Sequence, residues 1–543
     1  MIFRAIAKTS RTVTCELSGN TPYYAAEPYD IYVNGELHTE KETRNIFTLF
    51  SLQPDTLYSI RVKSASSEFT RDVRTNTESA LIDVSQCGAY RDGVHIDTGA
   101  LQCAIALCPE NGCVYVPAGT YLTGPIFLKS NMTLYLEKGA VLRGLKDRAD
   151  YPIMPGTVHP SDGSGHDYYF GTWEGEPDSA MASLITGIDL KNVSVVGEGE
   201  LNGSGEDGDW WEDHRHMRRA WRPRSVFLCR CKNVLLQGFH VCNSPSWTLH
   251  PFYCTDLDII DVRITNPPIS PNTDGIDPES CQKVRILGTV ISVGDDCIAI
   301  KSSKIFFGKL LKVPSAEYEI RNCLMLRGHG GVVVGSEIAG GVSNIRISKC
   351  IFDDTDRGIR IKTRRGRGND SVVDDICCEN VTMKGVHTPF VINMFYFCDL
   401  DGKTQYVWEK NPLPVDDRTP AVGTLRVRDV TCTGAHEAGC YFYGLPEQPI
   451  GCVSMKNVSI SFAEDAVPGY PAMMSYITKE CRRAMFACNV EEIDFENVTF
   501  EGYEGEKLLL SEVGKFVVDG KETPYEDCHP VKPDGSVPSE YSI

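Results

Sequence analysis

Four short polar clusters carry the residue types that acid–base chemistry needs: Asn272-Thr-Asp274-Gly, Gly294-Asp295-Asp296, Gly328-His329-Gly330-Gly331 and Arg360-Ile-Lys362. Brought to one place, Asp274, Asp295 and Asp296 would repel one another, so one carboxyl would keep its proton while the others stay ionised. An acid for a leaving oxygen beside a base for a water is what hydrolysis of a glycosidic bond requires. Arg360 and Lys362 flank Ile361, share one strand face, and suit the grip of a substrate carboxylate. Each cluster is ordinary when taken singly. Asn-Thr-Asp-Gly is a turn formula, paired aspartates cap or solvate loops, and basic pairs line solvated faces. Their phase is what gives them weight together.

The elements that must position these clusters are short alternating strands separated by polar or Gly turns, repeated along most of the chain. Copies include Lys191-Asn-Val-Ser-Val-Val, Lys232-Asn-Val-Leu-Leu, Leu257-Asp-Ile-Ile, Lys283-Val-Arg-Ile-Leu, Tyr318-Glu-Ile-Arg-Asn and Asn344-Ile-Arg-Ile-Ser, spaced by roughly 23 to 34 residues in mid-chain. Strand repeats at such a period predict a solenoid of β-coils, each burying its apolar face only against its neighbours. The clusters fall roughly 11 to 17 residues after the strand starts Leu257, Val284, Tyr318 and Ile345. That common phase puts them on one longitudinal face, about 5 Å apart per layer. Adjacent Asp295 and Asp296 would point oppositely in a regular strand; Gly294 offers a bend, and the sequence leaves its use open. Cys323 and Cys350 follow matching strand starts and should stack in adjacent coils.

The fold class is therefore all-β, a parallel β-helix with a small N-terminal β-sandwich. Residues 1–80 read as that sandwich, with a corner at Leu52-Gln-Pro54-Asp-Thr56-Leu-Tyr58 similar to that of a fibronectin type III domain, whose tyrosine hydroxyl pins the turn. Residues 81–543 read as the solenoid, its open first coil closed by a helix near residues 97–109 with Asp97 as the capping residue.

Composition narrows the function. The 543 residues carry a net charge of −19, which argues against a nucleic-acid partner. No apolar run is long enough to span a bilayer. The N-terminus lacks the apolar core of a secretory signal, so a cytoplasmic location is expected. The 22 cysteines show no ligand-spaced set such as paired CxxC motifs, so neither a metal site nor a cofactor is expected. An anionic substrate would need local positive charge. The stretch from Arg357 to Arg367 offers it, with Arg357, Arg360, Lys362, Arg364, Arg365 and Arg367 and no acid. A second basic run, His214 to Arg224, adds Trp221 as a surface for a sugar ring, or is a loop held by salt bridges.

In this order the four motifs resemble the signature of glycoside hydrolase family 28, the polygalacturonases. Flanking stretches are similar to its bacterial members: Ser244-Pro-Ser-Trp-Thr-Leu-His-Pro251, Thr355 through Gly368, and Pro389-Phe-Val-Ile-Asn-Met-Phe395. The similarity runs from about residue 82 to about residue 510. The resemblance implies a right-handed parallel β-helix and inverting hydrolysis of α-1,4-linked galacturonan. It implies Asp295 as general acid, Asp274 and Asp296 as the pair that holds and activates water, and His329 as an assistant that tunes the acid or positions substrate. Arg360 and Lys362 would bind the galacturonate carboxylate at or beside the cleaved bond. The N-terminal sandwich resembles that of exo-acting bacterial members, so end-trimming of a pectic oligosaccharide or polygalacturonate is expected. Ile96-Asp97-Thr98 departs from the family, which often has paired Asp before that Thr.

Other readings keep parts of this picture. A non-catalytic carbohydrate-binding β-helix would need no acids in phase. A Ca²⁺-dependent pectate lyase would use the acids within an oxygen cage. A hydrolase of rhamnogalacturonan or of substituted galacturonan would depart from the Asp-Asp and Arg-Ile-Lys patterns, which stand intact here. The oligomeric state is open.

Overall fold

The structure, a computed structural model, describes residues 2–530 apart from 162 and 164. The last part of the expected solenoid domain, residues 531–543, and Met1 of the expected sandwich lie outside the described residues. Strands Ile2–Lys8, Val13–Ser18 and Ile46–Leu49 form one antiparallel sheet. Strands Tyr24–Val33, Glu36–Arg44, Leu57–Lys63 and Glu68–Arg74 form a second. Val13, Cys15, Tyr29, Ile31, Phe47 and Ile60 share a core of their own there. At the corner, the Tyr58 hydroxyl accepts a hydrogen bond from the Gln53 amide at 2.8 Å, so the tyrosine pins the turn.

From Leu81 onward parallel strands stack coil upon coil in one 30-stranded sheet that wraps round the axis. In the first column Val193, Val234, Leu257, Val284, Tyr318, Ile345 and Ile376 are direct neighbours. These are the repeat strands read from the sequence. The Lys-Asn pairs that begin two of them have a physical reason. Asn192 and Asn233 adopt φ of 56°, a left-handed corner that asparagine tolerates better than most residues. Asn131, Asn192 and Asn233 also chain their amides at 2.7 and 2.8 Å, coil to coil. Cysteines stack in the same manner, as thiols: the Cys231 amide meets Cys254 Sγ, and the Cys254 amide meets Cys281 Sγ. Cys323 and Cys350 follow register-matched strands, and all 22 cysteines are free.

The helix at the first coil spans Thr98–Leu107 and buries Leu101, Ala104 and Ile105 on the end of the solenoid. It differs from the expected 97–109 at both ends. Pro109 has no amide proton and drives Cys108 out of helical geometry, to ψ 121°. Asp97 stands at the N-cap but makes no side-chain cap bond. Its carboxylate instead accepts from the Tyr90 and Arg91 amides at 2.7 and 3.0 Å, tying down the loop before the helix.

The small sandwich is fastened along the solenoid's flank. Glu16, fully buried, takes Arg321 at 3.2 Å and the Asn322 amide at 3.2 Å, while Ile46 packs on Ile260 and Leu287. Among the described residues no helix is long and apolar enough to cross a membrane.

The column of inward residues carries the stability of the whole stack, because each coil covers the next. Ile286 lies between Ile259 and Ile320 and is fully buried. Ile286→Ala is expected to lower stability by about 2–5 kcal/mol and Ile286→Val by about 0.5–1.5 kcal/mol, read from urea unfolding midpoints.

Candidate active site

A second column of short strands positions the polar clusters. Leu249, Ile276, Ile298, Val332, Ile359 and Phe390 succeed one another in register with their side chains in the core. The polar clusters sit at the turns just before these strands or on their outward faces. Coil-to-coil backbone bonds hold the turns themselves in step: Thr248 N to Asp274 O, Gly275 N to Asp296 O, His329 N to Asp295 O and Cys297 N to Gly330 O, all 2.8–2.9 Å. Arg360 is the outward neighbour of Val333, and Lys362 follows two residues on.

The bend left open by the sequence is used. The chain leaves strand Val290–Ser292 and turns at Gly294, where a Cβ would lie 2.4 Å from the Ser270 carbonyl. Asp295 and Asp296 therefore both face the groove, and each of Asp274, Asp295 and Asp296 places an oxygen within 4.8 Å of the others. The glycines around His329 answer the same crowding. A Cβ at Gly328 would lie 2.7 Å from the Asp295 carbonyl, and one at Gly330 would lie 2.4 Å from a Val333 methyl.

All six residues singled out in the sequence meet here. Asp296 Oδ1 accepts from Arg360 at 3.3 Å and its Oδ2 from Lys362 at 2.7 Å. His329 Nδ1 faces Asp295 Oδ1 at 3.3 Å. Three residues the sequence did not single out complete the cluster. Lys301 Nζ stands 3.8 Å from Asp274, 3.4 Å from Asp277 and 3.4 Å from Glu337, and 4.5 Å over the Trp247 ring. For Asp277 and Lys301 the signal was charge following apolar bridge and strand residues, in Ile276-Asp277-Pro-Glu279 and Ile298-Ala-Ile-Lys301.

The charges arrange the protons. Burial pushes the Asp274 carboxyl well up, and the negative neighbours Asp277 and Asp295 push it further. Burial likewise raises Asp277 to about 8 against the pull of Lys301. That pair holds a proton near neutral pH. Burial also works against ionised Asp295, but the His329 imidazolium, then Lys362 and Lys301, outweigh it and hold the carboxyl well below the usual range. His329, facing Asp295, is raised to about 9. Two proton-carrying pairs, Asp274–Asp277 and Asp295–His329, thus stand beside Asp296.

The basic run does less than its sequence offers. Arg357 is held by Glu437 and the Pro471 carbonyl, Arg364 by Asp399 and Asp401, Arg365 by Glu447 and Arg367 by Asp399. Arg360 and Lys362 are the pair that faces the acids. In the second run, Arg218 pairs with Asp209 and Arg222 grips Asn272 at 2.7 Å, while Trp221 stacks on Trp173. A calcium cage does not fit the acidic trio. Lys301, Arg360 and Lys362 already surround its oxygens with positive charge, where a hard cation needs six to eight free oxygen ligands.

Comparison with known proteins bears on this arrangement. The family model described as "Glycosyl hydrolases family 28" matches residues 168–472, and one described as "Rhamnogalacturonase A/epimerase, pectate lyase-like" matches residues 81–139. A probable polygalacturonase of Vitis vinifera is 31% identical over 396 residues, covering 72% of this chain and 75% of the relative. An exo-poly-alpha-D-galacturonosidase of Dickeya chrysanthemi is 24% identical over 425 residues, covering 69% and 67%. The solved structure of a family 28 exopolygalacturonase of Yersinia enterocolitica superposes with a TM-score of 0.69 at 19% identity, covering 96% of this chain and 98% of that one. That likeness shows a shared parallel β-helix fold.

The proton arrangement has a consequence for stability. Between pH 6.5 and about 9 the folded chain keeps a proton on His329 that the unfolded chain has lost, and up to about 8 one on Asp277 as well. The folded state binds more protons, so stability falls as pH rises through this window. Urea midpoints measured from about pH 6.5 to 9 are expected to decline, and His329→Gln and Asp277→Asn each to flatten the decline.

Proposed function

The chain belongs to glycosyl hydrolases family 28, and we propose that it removes single galacturonate residues from the end of α-1,4-linked galacturonan or its oligomers. The observation that carries the hydrolytic reading is the carboxylate trio within 4.8 Å, with Arg360 and Lys362 on Asp296 and His329 on Asp295. Asp295, ionised at rest, passes to the linkage oxygen the proton that its partner His329 holds up to about pH 9. Asp296, held by two cations, orients the water. Asp274 takes the water's proton in the state in which the proton it shares with Asp277 rests on Asp277. Arg360 and Lys362 are also the cations a uronate carboxylate would meet beside the cleaved bond.

Two carboxylates flanking the acid suit the holding of a water and support inversion. Their spacing alone is nearer the roughly 5–5.5 Å of a retaining pair than the roughly 6.5–9.5 Å of an inverting one. The anomer of the first product separates the two.

End-trimming is supported by a wall beside the acids. Trp173 stacks on Trp221 at 4.6 Å and lies 6.1 Å from Trp247, with the buried Arg224 guanidinium against Trp173 and Trp247. Trp173 belongs to a tight turn joined to Glu176 by two 3.0 Å backbone bonds, and Gly175 of that turn accepts from the Lys304 amide at 3.1 Å. The wall therefore lies one lysine away from Asp274, since Lys301 touches both.

A time course on hexagalacturonate followed by proton NMR tests these points together. The expected first product is monogalacturonate as the β anomer, with Asp295→Asn slowing turnover by about 10²–10⁴-fold. Early dimers and trimers would contradict end-trimming, a first-formed α anomer would contradict inversion, and undiminished turnover in Asp295→Asn would contradict the acid.

A further inference from the structure

Glu337 is an acid in a compartment meant for an acidic sugar. It follows strand Val332–Val334, and its Oε2 accepts from Lys301 Nζ at 3.4 Å. Burial disfavours its charge, but Lys301, then Arg367, Lys304 and Lys362, overcome that and hold it at about 2. Glu337 is thus a fixed negative charge at any working pH. Its side chain keeps about a tenth of its surface open. Lys301, shared among Asp274, Asp277 and Glu337, has no charge left over for a substrate. The same lysine lies over Trp247, so Glu337 and the tryptophan wall meet at Lys301, beside Asp274.

A fixed carboxylate repels a uronate carboxylate and accepts hydrogen bonds from sugar hydroxyls. A terminal non-reducing ring brings its free 4-hydroxyl as a donor. An interior ring has that oxygen tied into the next linkage, and brings the next uronate's charge toward the wall. We infer that Glu337 reads the free 4-hydroxyl of the non-reducing terminal galacturonate and is a specificity-determining residue for release of that ring. The inference rests on the end-trimming reading above. It gives the neighbouring cations a division of labour, with carboxylates drawn to Arg360 and Lys362 and hydroxyls to Glu337.

The test compares trigalacturonate with the trimer whose non-reducing ring is 4,5-unsaturated and therefore lacks the 4-hydroxyl. The wild-type protein is expected to prefer the saturated trimer by at least about tenfold in kcat/KM. In Glu337→Gln, kcat/KM is expected to fall about 10–100-fold further on the saturated trimer than on the unsaturated one, so the preference collapses. Glu337→Asp keeps the charge and is expected to retain part of the preference, which separates charge from folding damage. Near-ultraviolet circular dichroism checks that each variant is folded. A wild-type protein without preference, or a folded Glu337→Gln with the wild-type ratio, would overturn the assignment. Hexagalacturonate digested in parallel keeps the two readings apart, because mid-chain products would remove end-trimming itself, whereas monomer release with an unchanged ratio would remove Glu337 alone.

Discussion

Register between coils is the constraint on which the rest depends. Parallel strands allow a neighbour at one position along the chain, and the backbone bonds from Thr248 to Asp274, from Gly275 to Asp296, and between His329 and Asp295 carry that register into the turns. A slip by one residue would exchange the inward and outward faces of a strand. It would turn Ile359 and Ile361 out and carry Arg360 and Lys362 into the core, and Asp296 would lose both its cations. The buried isoleucine and valine column and the catalytic groove are thus two faces of one restraint. The close glycines, Gly294, Gly328 and Gly330, belong to it as well, since the chain passes where a side chain would collide.

Charge is the second organising force. A chain of net charge −19 that takes an anionic polymer must concentrate its cations, and here they are gathered around carboxylates rather than left open. Lys301, Arg360 and Lys362 neutralise the acidic cluster, while Arg364, Arg365 and Arg367 join the loops around the groove through Asp399, Asp401 and Glu447. Breaking one partner of so buried a pair leaves the other uncompensated, which costs more than the pair itself contributes.

Much of this was legible in the sequence because two periods coincide. The strand repeat marked Leu257, Val284, Tyr318 and Ile345 as neighbours, and the turns carrying Asp274, Asp295, Asp296 and His329 kept the same phase. Lys301, Asp277 and Glu337 escaped notice because single charges beside short strands look like solvated positions until neighbouring coils bury them. The basic stretch misled for the opposite reason: proximity in sequence placed six cations together, and strand alternation with long-range partners sent four of them elsewhere. Asp97 had the form of a helix cap, yet its carboxylate serves the Tyr90 and Arg91 amides, a choice that depends on the loop's path. The tryptophan wall joins residues 173, 221 and 247 from three separate segments, of which the basic run pointed to Trp221 alone.

The most direct test of the account is a crystal structure of the Asp295→Asn variant with trigalacturonate bound. The terminal ring is expected between the tryptophan wall and the acids, with its first linkage oxygen at residue 295 and the next ring's carboxylate on Arg360 and Lys362. A trisaccharide bound with its linkages away from residues 274, 295 and 296, or extending past Trp173 and Trp221, would contradict it.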